Sequence, residues 1–168
     1  MQSLKAALSR QDQVSWVQVP SQLDDSKQAT HVSASLTGVT VEPGACSLSF
    51  KDGRVFSDQR YRSVQTWNLR IPEIQQVRVE SLEGFVDRSR AEGGHPGWGT
   101  KTNPTVFVLE MVAAPGRKFQ VHRWSKNGDS EAMERDLDQP LVFVVFSQEA
   151  AAREAAEMLE KAKSLCAQ

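Results

Sequence analysis

Basic side chains stand close together at the ends of two predicted strands. Lys51 lies at the end of one strand, Arg60 and Arg62 lie at the start of the next, and Arg54 lies between them. Residues two apart on a strand share a face, so Arg60 and Arg62 are expected to form one cationic cup beside Lys51 and Arg54. Guanidinium groups bind phosphate oxygens through paired N–H donors, which would suit an anionic ligand. The alternative is that these residues only keep a surface soluble.

Trp98 stands in a glycine-rich stretch that is the second candidate for a binding site. We expect a long loop from Gly84 to Pro104, and a loop of that length in a compact domain is often either functional or disordered. Trp98 is then either an exposed aromatic anchor for a partner or a ring that folds back onto the sheet. The role of the loop is left open.

Catalytic and metal-binding patterns are not found in the sequence. The histidines His31, His95 and His122 have no partner at metal-ligand or triad spacing. No serine or cysteine is flanked in the manner of an activated nucleophile. We therefore expect a protein that is not an enzyme and that uses no cofactor and no metal. A small enzyme with a site under the 84–104 loop stays as an alternative, because catalytic groups distant in sequence can meet in space.

The two cysteines, Cys46 and Cys166, allow two interpretations. They are too far apart for a redox pair motif and too few for a zinc site without histidine. They are either two small buried side chains or a disulfide that joins the end of a helix to a strand. The sequence does not decide between them.

Composition narrows the class of partner. Lys and Arg number 20 against 21 for Asp and Glu, so the net charge of −1 offers no general attraction for nucleic acid, and no nucleic-acid partner is expected. The longest apolar run, Leu141 to Phe146, is far shorter than the ~20 residues of a membrane-spanning helix. The first residues lack the apolar core of a secretory signal. We expect a cytoplasmic protein with no transmembrane segment, and a secreted protein numbered after signal removal stays open.

Alternating apolar residues predict the elements that position the candidates. Residues 1–28 are expected to form an N-terminal extension and residues 29–168 one domain. A first hairpin is predicted to turn at Asp52-Gly53, and a second to join Val106–Val112 to Lys118–Trp124. The polar segment from Ser125 to Gln139 is expected to be a solvated loop.

The apolar run at Leu141 predicts a last strand that leads into a C-terminal helix from Gln148 to about Leu165. Ser147 is the expected N-cap. Apolar residues recur at three- and four-residue spacing along one helix face, which should cover a sheet. The members of this face are Ala151, Ala155, Met158, Leu159, Ala162, Leu165 and Cys166.

About seven antiparallel strands and one terminal helix make an α+β fold that is mainly antiparallel β. This element order, together with the closing segment Phe143 to Leu159, resembles the pleckstrin-homology-like superfold, particularly its Ran-binding and related branches and uncharacterised bacterial members. The match is most specific over roughly the last 30 residues. It implies a barrel or sandwich that is capped by the helix. In phosphoinositide-binding members, basic residues placed like Lys51, Arg60 and Arg62 gather around a phosphate.

Known branches of that superfold bind phosphoinositides, phosphotyrosine or proline-rich peptides, or Ran. The resemblance therefore implies an interaction or scaffolding module. The expected partner is a peptide or protein, held along an open sheet edge or in the groove between that edge and the helix. An anionic phospholipid headgroup bound by the basic cup, with weak contact to acidic lipid, is the alternative. The sequence names neither the partner nor the oligomeric state.

Overall fold

The protein has an α+β architecture with two antiparallel sheets and a C-terminal helix, in a computed structural model that describes residues 1–10, 13–19, 29–56, 61–94 and 101–167. Ten strands fall within these residues, namely β1 Gln13–Val19, β2 Thr30–Glu42, β3 Ser47–Phe56, β4 Tyr61–Arg70, β5 Ile74–Ser81, β6 Lys101–Asn103, β7 Phe107–Ala113, β8 Phe119–Asn127, β9 Met133–Gln139 and β10 Leu141–Phe146. The α-helices of the same residues are α1 Gln2–Ser9, α2 Leu82–Ala91 and α3 Glu149–Cys166.

The two sheets differ in size. The large sheet has the order β6-β1-β2-β3-β4-β8-β9, and the small sheet has the order β10-β7-β5. Every described strand pair is antiparallel. The predicted fold class and the C-terminal helix are confirmed. The sheets do not close into a barrel, and the described strands exceed the expected seven.

The hydrophobic core has two parts, one on each side of the small sheet. The first part joins the inner face of the large sheet, one face of the small sheet, α1 and α3, and includes Phe50, Trp67, Met111 and Phe146. The second part lies between the first two strands, α2 and the opposite face of the small sheet. Trp67, Leu69 and Ile71 are all buried, as the alternation predicts.

The turn predicted at Asp52-Gly53 is wrong, because β3 passes through both residues without interruption. Gly53 lies opposite Ser35 of β2 and Val64 of β4. A Cβ atom at Gly53 would lie 2.8 Å from the Ser35 hydroxyl oxygen, so a larger residue there would require that side chain to move. The chain turns instead between Glu42 and Ser47.

The second predicted hairpin is also wrong, although its turn exists. Arg117 N donates to the Ala114 carbonyl at 2.8 Å, and Gly116 has φ +75°. The strands on either side lie in different sheets, since β7 pairs with β5 and β10 whereas β8 pairs with β4 and β9. The segment predicted as a solvated loop holds β9, and Gly128 turns the β8–β9 hairpin with φ +56°.

The N-terminal segment is built into this architecture. β1 pairs with β2 over six residues and also with β6. Leu4 and Leu8 of α1 are buried in the first part of the core. The predicted division at residue 28 lies outside the described residues, and the strands on its two sides are hydrogen-bonded to each other.

Part of the predicted 84–104 loop is helical. Leu82, Phe85 and Val86 of α2 are buried at helical spacing, and the Ser81 hydroxyl accepts a hydrogen bond from Gly84 N at 3.1 Å. At the C-terminal end of α2, Arg88 Nη2 donates to Glu110 of β7 at 2.7 Å and to Glu80 of β5 at 2.5 Å. The helix is thereby fixed to the small sheet by charge as well as by apolar contact.

Helix α3 covers the small sheet, as predicted, through Ala152, Ala155, Leu159 and Ala162. The N-cap is Gln148 rather than Ser147, and no side chain caps the helix there. Leu165, which the pattern placed on the apolar face, is 57% exposed. Among the described residues, none of the helices is long and apolar enough to cross a membrane.

Cys46 and Cys166 form a disulfide that joins the β2–β3 turn to the end of α3, with 5.8 Å between the Cα atoms. This decides between the two interpretations of the cysteines. Cys46 has φ +47°, in the left-handed region that favours glycine. A hairpin turn of this kind usually takes glycine at such a position, so the cysteine stands there against local preference.

Candidate functional site

The edge strands β9 and β10 lie on either side of Pro140 and border an open cavity. β9 is the last strand of the large sheet and β10 the last strand of the small sheet, and Pro140 alone separates them. Within the described part of the chain, each has a paired neighbour on one side only. A cavity of about 290 Å³ lies between them and is lined by both strands. We call this space the β9–β10 cleft.

The floor of the β9–β10 cleft is the inner face of the large sheet. Alternation on β4 turns Tyr61, Ser63, Gln65 and Trp67 toward it. β8 adds Val121 and Arg123, β9 adds Leu137 and Gln139, and β10 closes the opposite wall with Leu141, Val142 and Phe143. The floor changes from apolar at Trp67 to polar at Ser63, so the cleft can hold a ligand that has both characters.

Arg54 and Asp52 form a buried ion pair at the wall of the cleft. The Arg54 guanidinium donates to Asp52 Oδ2 from Nε at 2.9 Å and from Nη2 at 2.6 Å, and both side chains are more than 90% buried. The guanidinium also lies over the Phe143 ring, 4.4 Å from its centroid. Burial raises the pKa of Asp52, and the Arg54 charge opposes that rise. The charge of Arg54 is thus already balanced within the protein.

Arg123 and Trp67 carry buried nitrogen atoms that lack a partner. Neither Arg123 Nε nor Trp67 Nε1 has a hydrogen-bond acceptor among the described residues. Both residues line the cavity, and Arg123 Nη2 donates to the Tyr61 hydroxyl. A buried donor without a partner costs about 1–3 kcal/mol. Two such donors at one cavity are typical of a place where a ligand or water completes the hydrogen bonding.

Of the five residues predicted to bind a ligand, the three that the structure describes do not lie together. Arg54 lines the cleft, but Lys51 and Arg62 lie on the opposite, outer face of the large sheet. Lys51 faces Thr66 and Arg62 faces Val55, so about 13 Å separates them along the strand. Arg60 and Trp98 lie outside the described residues. The described members of the predicted cup do not share one surface.

The residues that the sequence reasoning missed are Arg123, Tyr61 and the indole of Trp67. A signal for Arg123 was present, because it continues the alternation of Phe119 and Val121 and thus occupies a position that should face the core. A charged residue at a core-facing position is rare without a partner.

A second groove lies at the other end of the same strands and is less suited to recognition. It encloses about 650 Å³ and is lined by charges of both signs. The residues concerned are Glu42, Arg70, Glu73, Arg117, Lys118 and Asp138. These charges can pair with one another or with water, and the buried donors without a partner in the described ranges lie elsewhere.

Comparison of the chain with family models, with curated proteins and with solved structures gives no match. The described residues contain no group of three or more His, Cys, Asp or Glu side chains placed to hold a metal ion. The resemblance to the pleckstrin-homology-like superfold therefore stays a prediction.

Proposed function

We propose that the protein is a non-enzymatic interaction module that binds an extended peptide segment of a partner in the β9–β10 cleft. The observation that carries this proposal is that a strand edge from each sheet borders one cavity. A strand edge presents a row of backbone N–H and C=O groups, and an added extended segment pairs with such a row. A peptide main chain matches that repeated pattern better than a compact small molecule does.

The side chains of β9 and β10 fit this role. On the cleft side, Leu137, Leu141 and Phe143 offer apolar contacts for alternate side chains of a bound segment. The outer face of β9 carries Glu134, Asp136 and Asp138, which alternate along the strand. Charges on an edge strand discourage unselective pairing with other chains, so the edge favours a matched partner.

A tryptophan at position 139 is expected to block the cleft. Gln139 is half-buried and lines the cavity, so the indole of Gln139→Trp would fill space that a peptide needs. The probe is a linear dodecapeptide selected from a random library on the wild-type protein. Its affinity, measured by fluorescence anisotropy, should fall about tenfold or more, which corresponds to ~1.4 kcal/mol.

The matched control is Asp138→Trp, which adds the same ring to the exposed outer face one residue away. Its affinity should stay near that of the wild type, and thermal unfolding should show that both variants fold. The proposal is wrong if Gln139→Trp binds the peptide as tightly as the wild type, or if repeated selections yield no peptide at all.

The Cys46–Cys166 disulfide favours the secreted alternative over the cytoplasmic one. Disulfides form and persist in oxidising compartments and are rare in the cytosol. We therefore infer that the module meets its partner outside the reducing cytosol. Rapid alkylation of free thiols in intact cells tests this, because a protein labelled at both cysteines would place it in a reducing compartment.

A further inference from the structure

We infer that the floor of the β9–β10 cleft at Arg123 and Trp67 binds a carboxylate of the docked segment. This rests on the proposed function, since the carboxylate belongs to the peptide. The two unpartnered donors, Arg123 Nε and Trp67 Nε1, are the first support. Arg123 pairs with Gln65 across β4 and β8, and Trp67 is the next residue of β4 on the same face. Such diagonal neighbours are close enough for one bound group to contact both.

The second support is the positive charge at Arg123, which lines the cavity, and at Arg135, an exposed residue beside it. Arg123 of β8 lies directly opposite Arg135 of β9 in the antiparallel register, so the two side chains point to the same face. Like charges at directly opposed positions destabilise a sheet. Their contacts in the described part of the chain are with neutral groups, the Tyr61 hydroxyl and the Met133 sulfur. An anion between the two guanidinium groups would remove the repulsion.

Arg54 and Arg88, which are also buried or half-buried, each pair with a carboxylate, and Arg123 does not do so within the ranges that the structure describes. Arg54 is paired with Asp52, and Arg88 is paired with Glu80 and Glu110. The charge of Asp52, the nearest acid on the same face, is already engaged by Arg54. No carboxylate in the described part of the chain pairs with Arg123, and the cavity that it lines gives a ligand access to it.

A carboxylate fits this place better than a phosphate does. The apolar part of the lining, which includes Val121, Leu137 and Phe143, would make the transfer of a doubly charged group costly. A carboxylate carries one charge and two acceptor oxygens. One oxygen can accept from the Arg123 guanidinium and the other from the Trp67 indole.

The direct test is a titration followed by the side-chain N–H resonances of Trp67 and Arg123 in proton–nitrogen correlation spectra. The probes are N-acetylphenylalanine, with a terminal carboxylate, N-acetylaspartate α-amide, with a side-chain carboxylate, N-acetylphenylalanine amide, with none, and inorganic phosphate at equal ionic strength. Both resonances should shift with saturation for at least one carboxylate and should not shift for the neutral amide. Which carboxylate binds more tightly tells whether the peptide offers a terminus or an acidic side chain.

Arg123→Met should abolish the carboxylate-dependent shift of Trp67, whereas Arg62→Met, the same change on the outer face, should leave it intact. Arg123→Lys keeps the charge but removes the planar donor set, so it should weaken binding and serves if the methionine variant does not fold. The inference is overturned if neither resonance moves, if the amide acts like the carboxylates, or if only phosphate binds.

The outcomes separate this inference from the proposed function. Selected peptides that lose affinity for Gln139→Trp but show no preference for Asp, Glu or a free terminus would support binding in the cleft and overturn the carboxylate site. Small carboxylates that bind when no peptide can be selected would support the carboxylate site and overturn the proposed peptide binding.

Discussion

Replacing Arg88 with methionine is expected to lower the free energy of unfolding by about 2 to 4 kcal/mol. Arg88 Nη2 lies 2.7 Å from Oε2 of Glu110, whose side chain is 1% exposed. Without Arg88, the buried carboxylate retains one ion-pair partner among the described residues, Arg78 at 3.7 Å. Removal of one partner of a buried pair costs more than the pair contributes, because the other charge is left in a poorly solvated place.

The loss should depend on pH in a defined direction. Burial raises the pKa of Glu110, and Arg88 and Arg78 oppose that rise, so Arg88→Met raises the pKa further. Between the unfolded pKa and a raised folded pKa the folded state binds more protons, and the free energy of unfolding decreases as pH increases. The destabilisation measured by urea unfolding should therefore be larger at pH 8 than at pH 5.

The matched control is Arg153→Met, which removes an ion pair with Glu149 whose two side chains are 61% and 47% exposed. Its effect should stay within about 0.5 kcal/mol, because exposed pairs contribute little. Adding Glu110→Gln to Arg88→Met should restore part of the stability, since it removes the stranded charge. A loss for Arg88→Met that is as small as the control, or that is independent of pH, would contradict this account of how α2 is held.

Reduction of the Cys46–Cys166 disulfide should have an effect of similar size. The bond closes a loop across 120 residues of sequence, and loss of such a constraint lowers the free energy of unfolding by about 2 to 5 kcal/mol. Urea unfolding of the wild type with and without dithiothreitol measures the difference. The double variant Cys46→Ala/Cys166→Ala should match the reduced wild type, and dithiothreitol should no longer change its stability.

A second double variant separates the bond from the backbone at position 46. Cys46 has φ +47°, a conformation that costs a residue with a side chain about 1–2 kcal/mol. Cys46→Gly/Cys166→Ala should therefore be more stable than the alanine pair. A count of two free thiols in the denatured, unreduced wild type would show that the bond is absent and would also remove the reason to prefer an oxidising compartment.

The parts of the fold that follow from local pattern could be predicted from the sequence. Alternation placed Trp67 and Leu69 in the core, and the apolar spacing after Phe146 gave α3 within a residue or two at each end. These features depend on which face is buried, which a single strand or helix already encodes.

The parts that depend on how strands meet could not be predicted. Asp52-Gly53 has the composition of a turn, yet both residues lie inside β3, where Gly53 is next to the Ser35 side chain of β2. The turn at Gly116 was found, but whether the chain returns along its own strand or crosses to another sheet is a tertiary choice. Gly84 was taken as the start of a loop, although Ser81 two residues beyond Val79 offers a helix N-cap.

The β9–β10 cleft could not be predicted from the sequence for the same reason. Its walls come from strands that end two different sheets, and one of them, β9, is rich in charge and was taken for a loop. Charged residues on both faces mask the period of a strand, so β9 carried little signal. The alternation of β8 marks Arg123 as core-facing, but its position opposite Arg135 depends on the strand pairing.

Three features determine how the two sheets and their helices are joined, namely Pro140, the disulfide and the Arg88 network. Pro140 ends one sheet and begins the other, which leaves two edges side by side. The disulfide fixes the end of α3 to the β2–β3 turn of the large sheet, and the Arg88 network fixes α2 to the small sheet.

Hydrogen exchange of backbone amides, with and without a saturating amount of the selected dodecapeptide, tests the central claim most directly. The account predicts slower exchange in β9 and β10, on both sides of Pro140, and no change in β6 at the far edge of the large sheet. Unchanged exchange in β9 and β10 under saturation, or protection confined to the outer face around Lys51 and Arg62, would show that the β9–β10 cleft is not where the peptide binds.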